Sequence, residues 1–224
     1  RVRSLPAPYA PRPGLVCVEQ THNFGGGSVW PLATLRALAD SARAQGLAVH
    51  MDGARLMNAV VATGVGAAEF CSPVDSAWLD FSKGLGAPIG AVLAGSRAFI
   101  AQARRYKQLF GGAMRQAGVA AAACLHALEH HVERLAEDHA NARRLAEGLA
   151  ALPGICLPYG APPTNIVFVD VAGTGLTAAE FVARCAAAGV RMVPAGGRVR
   201  AVTHLDVDRA AIETALRTVA QVLR

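Results

Sequence analysis

The sequence predicts an α/β fold in which a large domain with a mostly parallel sheet precedes a small α+β domain. Two observations lead to this prediction: short apolar segments of strand character alternate with segments of helical periodicity, and turn or charged residues follow the apolar segments. Strands that alternate with helices form parallel sheets, and functional groups collect at the strand ends of such sheets. Hydrophobic residues make up 53% of the 224 residues, which is enough for a substantial core.

The large domain is expected over residues 1–118. Its strands are predicted from four short apolar segments, which are Gly14–Glu19, Leu47–Met51, Ser76–Phe81 and Gly90–Ala94. Between the first two segments we expect a helix over Leu32–Gln45, because Gly46 follows as a stop signal. The turn Gly25–Gly27 lacks the residue order of a phosphate-binding loop, and we interpret it as a flexible turn.

One long helix is predicted over 119–152, linking the two domains. Leu, Val and Ala residues recur there at three- and four-residue steps from Leu125 to Leu149, with charged residues between them. The helix also carries four histidines, which we expect at the surface or an interface: His126, His130, His131 and His139. No carboxylate or thiol accompanies them at ligand spacing, so no metal site is predicted.

The small domain is expected over 153–224. Its predicted strands are Asn165–Val171, Val190–Val193 and Val199–Thr203, and its predicted helices are Ala178–Ala188 and Asp208–Leu223.

The charge, the hydropathy and the cysteine content indicate which partners and which cell compartment to expect. The net charge is +6, but the basic residues are spread along the chain and the densest group, Arg104–Lys107, is short, so no nucleic-acid partner is expected. No apolar run reaches the roughly 18 residues of a membrane span, so no membrane partner is expected. Five cysteines lack any paired spacing; we interpret them as buried small apolar residues of a reducing cytoplasm.

Three charged residues stand where catalytic groups are expected. Asp52 and Lys83 follow two successive strands, and Arg200 lies in the small domain. A pyridoxal 5'-phosphate enzyme needs a lysine amine to hold the cofactor aldehyde, a carboxylate beside the pyridine nitrogen, and a guanidinium for the substrate carboxylate. This trio also occurs at strand ends in many unrelated α/β proteins, so spacing alone leaves the function open.

The local motifs are more specific than the spacing. Five of them occur in order along the chain: Glu19–Asn23 (EQTHN), His50–Ala59 (HMDGARLMNA), Phe81–Gly90 (FSKGLGAPIG), Gly111–Gly118 (GGAMRQAG) and Arg200–Val207 (RAVTHLDV). Together they resemble the low-specificity L-threonine aldolases, within the aspartate-aminotransferase-like superfamily (fold type I) of pyridoxal-phosphate enzymes. The resemblance covers nearly the whole chain and implies that fold, its cofactor and a homo-oligomeric assembly.

The resemblance also implies roles for individual residues. Lys83 corresponds to the lysine that holds the cofactor, Asp52 to the partner of the pyridine nitrogen, and Arg55 to the contact of the phenolic oxygen. His22 resembles the histidine near the substrate's β-hydroxyl, and Arg200 resembles the arginine that binds the substrate carboxylate.

Two further residues are expected near the cofactor phosphate. Arg115 resembles a basic residue that reaches the phosphate, in a neighbouring subunit, and Ser82 immediately precedes the lysine. Where family members often carry a lysine upstream of this arginine, Gln108 stands here, next to Lys107.

Family members also have roughly a hundred or more residues ahead of the point where this sequence starts, about one domain's worth of sheet. That region holds a glycine-rich phosphate loop and the histidine that stacks on the cofactor ring. We therefore expect an N-terminally truncated chain that is poorly active alone and prone to aggregate or to need a partner.

The resemblance implies retro-aldol cleavage of a β-hydroxy-α-amino acid, such as threonine, to glycine and an aldehyde. One alternative is another fold-type-I lyase, either a β-eliminating enzyme or an aldolase for bulkier substrates such as phenylserine. Another is an inactive fragment or pseudoenzyme that acts only by dimerising through its long helix.

Each site residue also has a purely structural interpretation. Lys83 is then a solvated surface lysine, Asp52 the cap of a following helix, His22 a hydrogen-bonded structural histidine, and Arg200 an ordinary strand-end arginine.

Overall fold

A computed structural model describes residues 12–224 and contains two separate sheets. The first has the strand order β1-β2-β3-β4, made by Leu15–Glu19, Ala48–Gly53, Ser76–Asp80 and Ala91–Gly95. The first three strands are parallel, and β4 is antiparallel to β3. This mixed, mostly parallel sheet agrees with the α/β fold class predicted from the sequence.

Helix α1 (Leu32–Arg43) follows β1, and its apolar residues recur on one face. Leu35, Ala39 and Ala42 are buried on that face, and Gly46 takes a positive φ of 71° shortly after the helix ends. Three further helices were not predicted from the sequence: α2 (Leu56–Thr63), α3 (Ala67–Cys71) and α4 (Arg97–Leu109). The first two are short, and no residue of α4 is buried, so none of the three shows the buried-face periodicity that marks α1.

The single linking helix predicted over 119–152 is wrong. The chain forms α5 (Gly118–His130) and α6 (Leu135–Ala150), separated by a turn. At the break, backbone hydrogen bonds span three residues, as from Leu135 N to Val132 O, instead of the four of an α-helix. No Gly or Pro lies at the break, and the apolar spacing continues through it. The sequence therefore carries no signal that the helix ends there.

His139 is also placed differently from the prediction. Its side chain on α6 is 3% exposed within the chain, whereas we expected the surface or an interface. Asn58 Nδ2 of α2 lies 3.0 Å from its Nε2 and donates a hydrogen bond to it. Burial, assisted by the charge of Arg143, lowers the pKa of His139 to about 4, so the ring is neutral at pH 7.

The small sheet has the order β5-β7-β6, with β5 (Ile166–Val169), β6 (Val193–Ala195) and β7 (Arg198–Val202) all antiparallel. Helices α7 (Ala178–Ala187) and α8 (Arg209–Val222) accompany it. Thr177 and Glu180 cap α7 reciprocally, and Asp208 caps α8 through the amide of Ala211. Every residue of β5 is buried, and Val167 and Val169 belong to a core shared with α6, α7 and α8. The strand predicted at Val190–Val193 begins later, at Val193.

The cysteine prediction holds for two of the five residues. Cys124 and Cys185 are buried and Cys71 is half-buried, but Cys17 and Cys156 are exposed. Cys17 lies on β1, where it points to the face of the sheet opposite that of the buried Val18. Over residues 12–224, no helix is long and apolar enough to cross a membrane, and no group of three or more His, Cys, Asp or Glu residues is placed to hold a metal ion.

Candidate active site

A cleft of about 510 Å³ lies between the ends of β2 and β3 and the small sheet. This volume is within the range of small-molecule sites. Four of the seven residues predicted from the sequence line it, namely Arg55, Ser82, Lys83 and Arg200. The parallel pairing explains the convergence, because Arg55 follows β2 and Lys83 follows β3 at the same edge of the sheet.

Lys83 points toward a carboxylate that sequence reasoning missed. Its Nζ lies 2.6 Å from Oδ2 of Asp80, the last residue of β3, and 5.1 Å from the centre of the Trp78 ring. The side chain is 33% exposed, so it remains reachable from the cleft. The three-residue separation of Asp80 and Lys83 was the available sequence signal.

Asp80 also holds Ser82. Its Oδ1 accepts hydrogen bonds from the Ser82 amide at 2.9 Å and the Ser82 hydroxyl at 2.7 Å. Burial works to raise the pKa of Asp80, but the hydrogen bonds from Lys83 and Ser82 outweigh it and hold the pKa below its usual value. Asp80 is therefore ionised at neutral pH and orders both residues.

Arg55 lies beside a second cation. Burial and the charge of Arg200 lower its pKa, against the opposing effect of Glu19, Asp80 and Asp52. Its backbone amide donates to the Gln20 carbonyl at 3.1 Å, which ties the segment after β2 to the segment after β1. Two neighbouring guanidinium groups in one cleft favour an anionic ligand.

Asp52 lies at the end of β2, next to the cleft but not among the residues that line it. Its Oδ1 accepts a hydrogen bond from the Ala54 amide at 3.0 Å, two residues along. Helix α2 begins at Leu56 with Arg55 at its N-cap, so the interpretation of Asp52 as a helix cap does not hold.

Arg200 retains hydrogen-bonding capacity toward the cleft. Its Nη1 donates to Asn23 Oδ1 at 2.6 Å, while its Nε is buried and has no partner among the described residues. Asn165, 2% exposed on the same wall, donates to the Thr203 carbonyl, and its Oδ1 also has no partner there. Sequence reasoning missed Asn165, because only the folded chain brings the start of β5 beside β7.

The structure does not bring His22 and Arg115 to this cleft. His22 lines a separate cavity of about 280 Å³ with Ser28 and Trp30, and its Nε2 is 3.5 Å from Glu19 Oε2. Arg115 is exposed in the segment between α4 and α5.

The fold and the cleft identify the class of protein. Thermus thermophilus aspartate aminotransferase, in a double-mutant form, superimposes with a TM-score of 0.71 at 19% identity, over 95% of this chain and 58% of that one. The chain therefore has the aspartate-aminotransferase fold, fold type I.

The family follows from the sequence. Residues 2–174 match the model of the beta-eliminating lyase family, and the chain belongs to that family. It is 37% identical over 201 residues to the low-specificity L-threonine aldolase 1 of Arabidopsis thaliana, covering 89% of this chain and 56% of the relative.

A solved structure from Exiguobacterium, named as an aromatic amino acid beta-eliminating lyase/threonine aldolase, has a TM-score of 0.76 at 25% identity. The match covers 92% of this chain and 61% of that one. The chain thus spans less than two thirds of the length of the relatives it matches.

Proposed function

We propose that the full-length protein is a pyridoxal-phosphate-dependent aldolase that cleaves β-hydroxy-α-amino acids such as L-threonine or L-allo-threonine to glycine and an aldehyde. The observation that carries this proposal is the meeting of Lys83, Arg55 and Arg200 in one cleft. An amine and two guanidinium groups suit a ligand with an aldehyde and anionic groups. Relatives named as threonine aldolases support the same reaction.

The residues of the cleft fit pyridoxal 5'-phosphate. Lys83 offers the amine, Asp52 a carboxylate beside the cleft, and Arg55 a guanidinium against the cofactor's phenolic oxygen. Ser82 and the cationic cleft suit the phosphate. The buried, unpartnered Nε of Arg200 is a donor that a ligand carboxylate satisfies. When bound, this cofactor withdraws electrons from the substrate's α-carbon.

Lys83 and Asp52 have different tasks in this proposal. Lys83 would hold the cofactor through its amine, and Asp80 stabilises the ammonium form of the free lysine. Asp52 would supply a negative charge for the pyridine nitrogen and so favour a proton there. Its hydrogen bond with the Ala54 amide fixes the carboxylate in the turn after β2.

Arg200 binds the substrate carboxylate. The guanidinium exchanges its bond with Asn23 for a bidentate pair, which orients the substrate so that the bond to be broken is correctly aligned. The adjacent charge of Arg55 strengthens the attraction for an anion.

His22 and Arg115 act from outside the cleft in this proposal. His22 takes the β-hydroxyl proton through a water molecule, because its own cavity is separate from the cleft. Arg115 is exposed and reaches the phosphate of a neighbouring subunit, so the enzyme is a homo-oligomer. We place it in the cytoplasm.

Product analysis tests the reaction. The full-length protein, supplied with pyridoxal 5'-phosphate and L-threonine, is expected to release equal amounts of glycine and acetaldehyde. Release of a 2-oxo acid and ammonia indicates a β-eliminating lyase instead, and faster cleavage of phenylserine indicates an aldolase for bulkier substrates. Cofactor absorbance without any product indicates a protein that has lost catalysis.

A further inference from the structure

The loop that carries Lys83 is held by a histidine from another part of the chain. This anchor loop comprises Ser82–Ala87, and the Leu85 carbonyl lies 2.6 Å from Nδ1 of His131. A carbonyl oxygen only accepts hydrogen bonds, so Nδ1 carries the proton and donates. The two residues are 46 positions apart, and sequence reasoning placed His131 only on a surface or an interface.

His131 is itself fixed at the turn between α5 and α6. Its backbone amide donates to the Ala127 carbonyl at 2.9 Å as the C-terminal cap of α5. Its ring meets the ring of His126 edge-on, with centres 5.3 Å apart. The backbone of His131 is therefore held by α5, while its Nδ1 faces the anchor loop from the turn between α5 and α6.

The other hydrogen bonds of the anchor loop are local: its backbone bonds lie within the loop or reach Phe81, and Ser82 bonds the Asp80 carboxylate. Gly86 N donates to Lys83 O, and Ala87 N donates to Phe81 O, both at 2.9 Å. In residues 12–224, the bond to His131 is the one hydrogen bond between the anchor loop and helices α5 and α6.

Packing adds a second restraint on the loop. A Cβ at Gly84 would lie 3.0 Å from Leu135, and Gly86 has a positive φ of 72°, with Leu205 and His131 beside it. The backbone thus passes close to α6, and His131 sets the direction of the peptide group two residues after Lys83.

We propose that His131 is a positioning residue for Lys83, an inference that rests on the proposed role of Lys83 as the cofactor anchor. The bond to the Leu85 carbonyl holds the turn Lys83–Gly86 closed and keeps the lysine amine at the mouth of the cleft, beside Asp80. Without the donor, the carbonyl of the buried Leu85 loses its partner and the turn opens.

Two substitutions in the full-length protein separate the hydrogen bond from general packing. In His131→Asn, the amide nitrogen occupies a position close to that of Nδ1 and still donates. In His131→Leu, a side chain of similar bulk has no donor. His130→Leu is the matched control, because His130 is the exposed neighbour and has no bond to the loop.

Amide hydrogen exchange of Gly86 and Ala87 is the first measurement, made without cofactor. His131→Leu is expected to speed their exchange by roughly fivefold to thirtyfold, the effect of losing one such hydrogen bond, while peptides of α7 remain unchanged. His131→Asn and His130→Leu are expected to behave like the wild type.

Borohydride trapping of pyridoxal phosphate on Lys83, mapped by mass spectrometry, is the second measurement. Slower trapping in His131→Leu, restored in His131→Asn, supports the proposal. The proposal is overturned if His131→Leu shows wild-type exchange and trapping. It is also overturned if His131→Asn changes both measurements as much as His131→Leu does.

Two other outcomes, a wild type that traps no cofactor and a variant that does not fold, are interpreted separately. If the wild type traps no cofactor on Lys83, the proposed function fails, whereas the exchange measurement still reports on His131. If His131→Leu does not fold, His131→Gln replaces it, because its amide lies one bond further out and does not reproduce the Nδ1 position. Exchange in His131→Gln equal to that in His131→Asn then overturns the proposal.

Discussion

The two walls of the cleft differ in how completely their polar groups are paired. On the wall formed after β2 and β3, both Lys83 and Ser82 bind Asp80, so the charge of Lys83 is already paired within the fold. On the wall formed by the small sheet, Arg200 Nε and Asn165 Oδ1 are buried and have no partner in the described part of the chain. Buried polar groups normally find partners. The first wall is therefore preset by the fold, and the second wall is completed by a ligand.

The largest expected effect is on the preset wall. In the full-length protein, Lys83→Ala should reduce turnover by more than about 10³-fold and abolish the borohydride-reducible adduct, because no other group supplies the amine. Lys83→Arg is the control, since it keeps a cation for Asp80 but cannot form the adduct. Mapping of the adduct to Lys107 in the wild type contradicts this assignment.

Removing the charge of Asp52 should have the next largest effect. Asp52→Asn keeps an oxygen for the Ala54 amide but loses the charge that holds the pyridine proton, so kcat should fall by about 10²- to 10³-fold, as for other preorganised electrostatic groups. Circular dichroism checks that the variant folds. A normal kcat in a folded Asp52→Asn protein rules out the cofactor role.

On the wall formed by the small sheet, substitution of Arg200 should mainly weaken substrate binding. Arg200→Lys keeps the charge but loses the bidentate fork, and KM for threonine should rise on the order of a hundredfold. Arg198→Lys is the matched control, because Arg198 lies two residues away on β7 and bonds to Tyr159 outside the cleft. Equal changes in KM for both variants show that Arg200 has no special contact with the carboxylate.

The smallest expected effect concerns the buried pair Asn58 and His139, which lies behind the wall formed after β2 and β3. Asn58, which bonds His139, also lies beside Gly84 of the anchor loop. The folded-state pKa of His139 is about 4 against an ordinary 6.5, so its neutral form is favoured by folding. The stabilisation is complete above pH 6.5 and is lost as the pH falls toward 4.

The free energy of unfolding should therefore drop by about 2 kcal/mol between pH 7 and pH 5 through this residue. Denaturant titrations at the two pH values measure the drop. In His139→Gln, whose amide oxygen still accepts from Asn58, this contribution should vanish. The same pH dependence in the variant and the wild type assigns the drop to other groups.

Much of the fold could be predicted because its signals are local. The apolar segments ending at Glu19 and in the Phe81 region become β1 and β3, and helix α1 shows its buried face in its own sequence. The convergence of Arg55 and Lys83 follows from parallel pairing of the strands that precede them, which joins residues 26 positions apart such as His50 and Ser76 but is the usual arrangement of successive strands in an α/β sheet. The family resemblance predicted the fold type, and the fold comparison agrees with it.

Sequence alone determined where the strands of the large sheet lie, which family the chain belongs to, and that Asp52 and Lys83 stand at strand ends, because each depends on residues close together in the chain. Tertiary structure alone decided that the linking helix breaks, that His139 is buried against Asn58, and that His131 holds the loop of Lys83. The last two features depend on contacts between residues 81 and 46 positions apart. An apolar period shows that a helix has a buried face, but which polar residues are carried inside depends on the groups that the rest of the fold places opposite them.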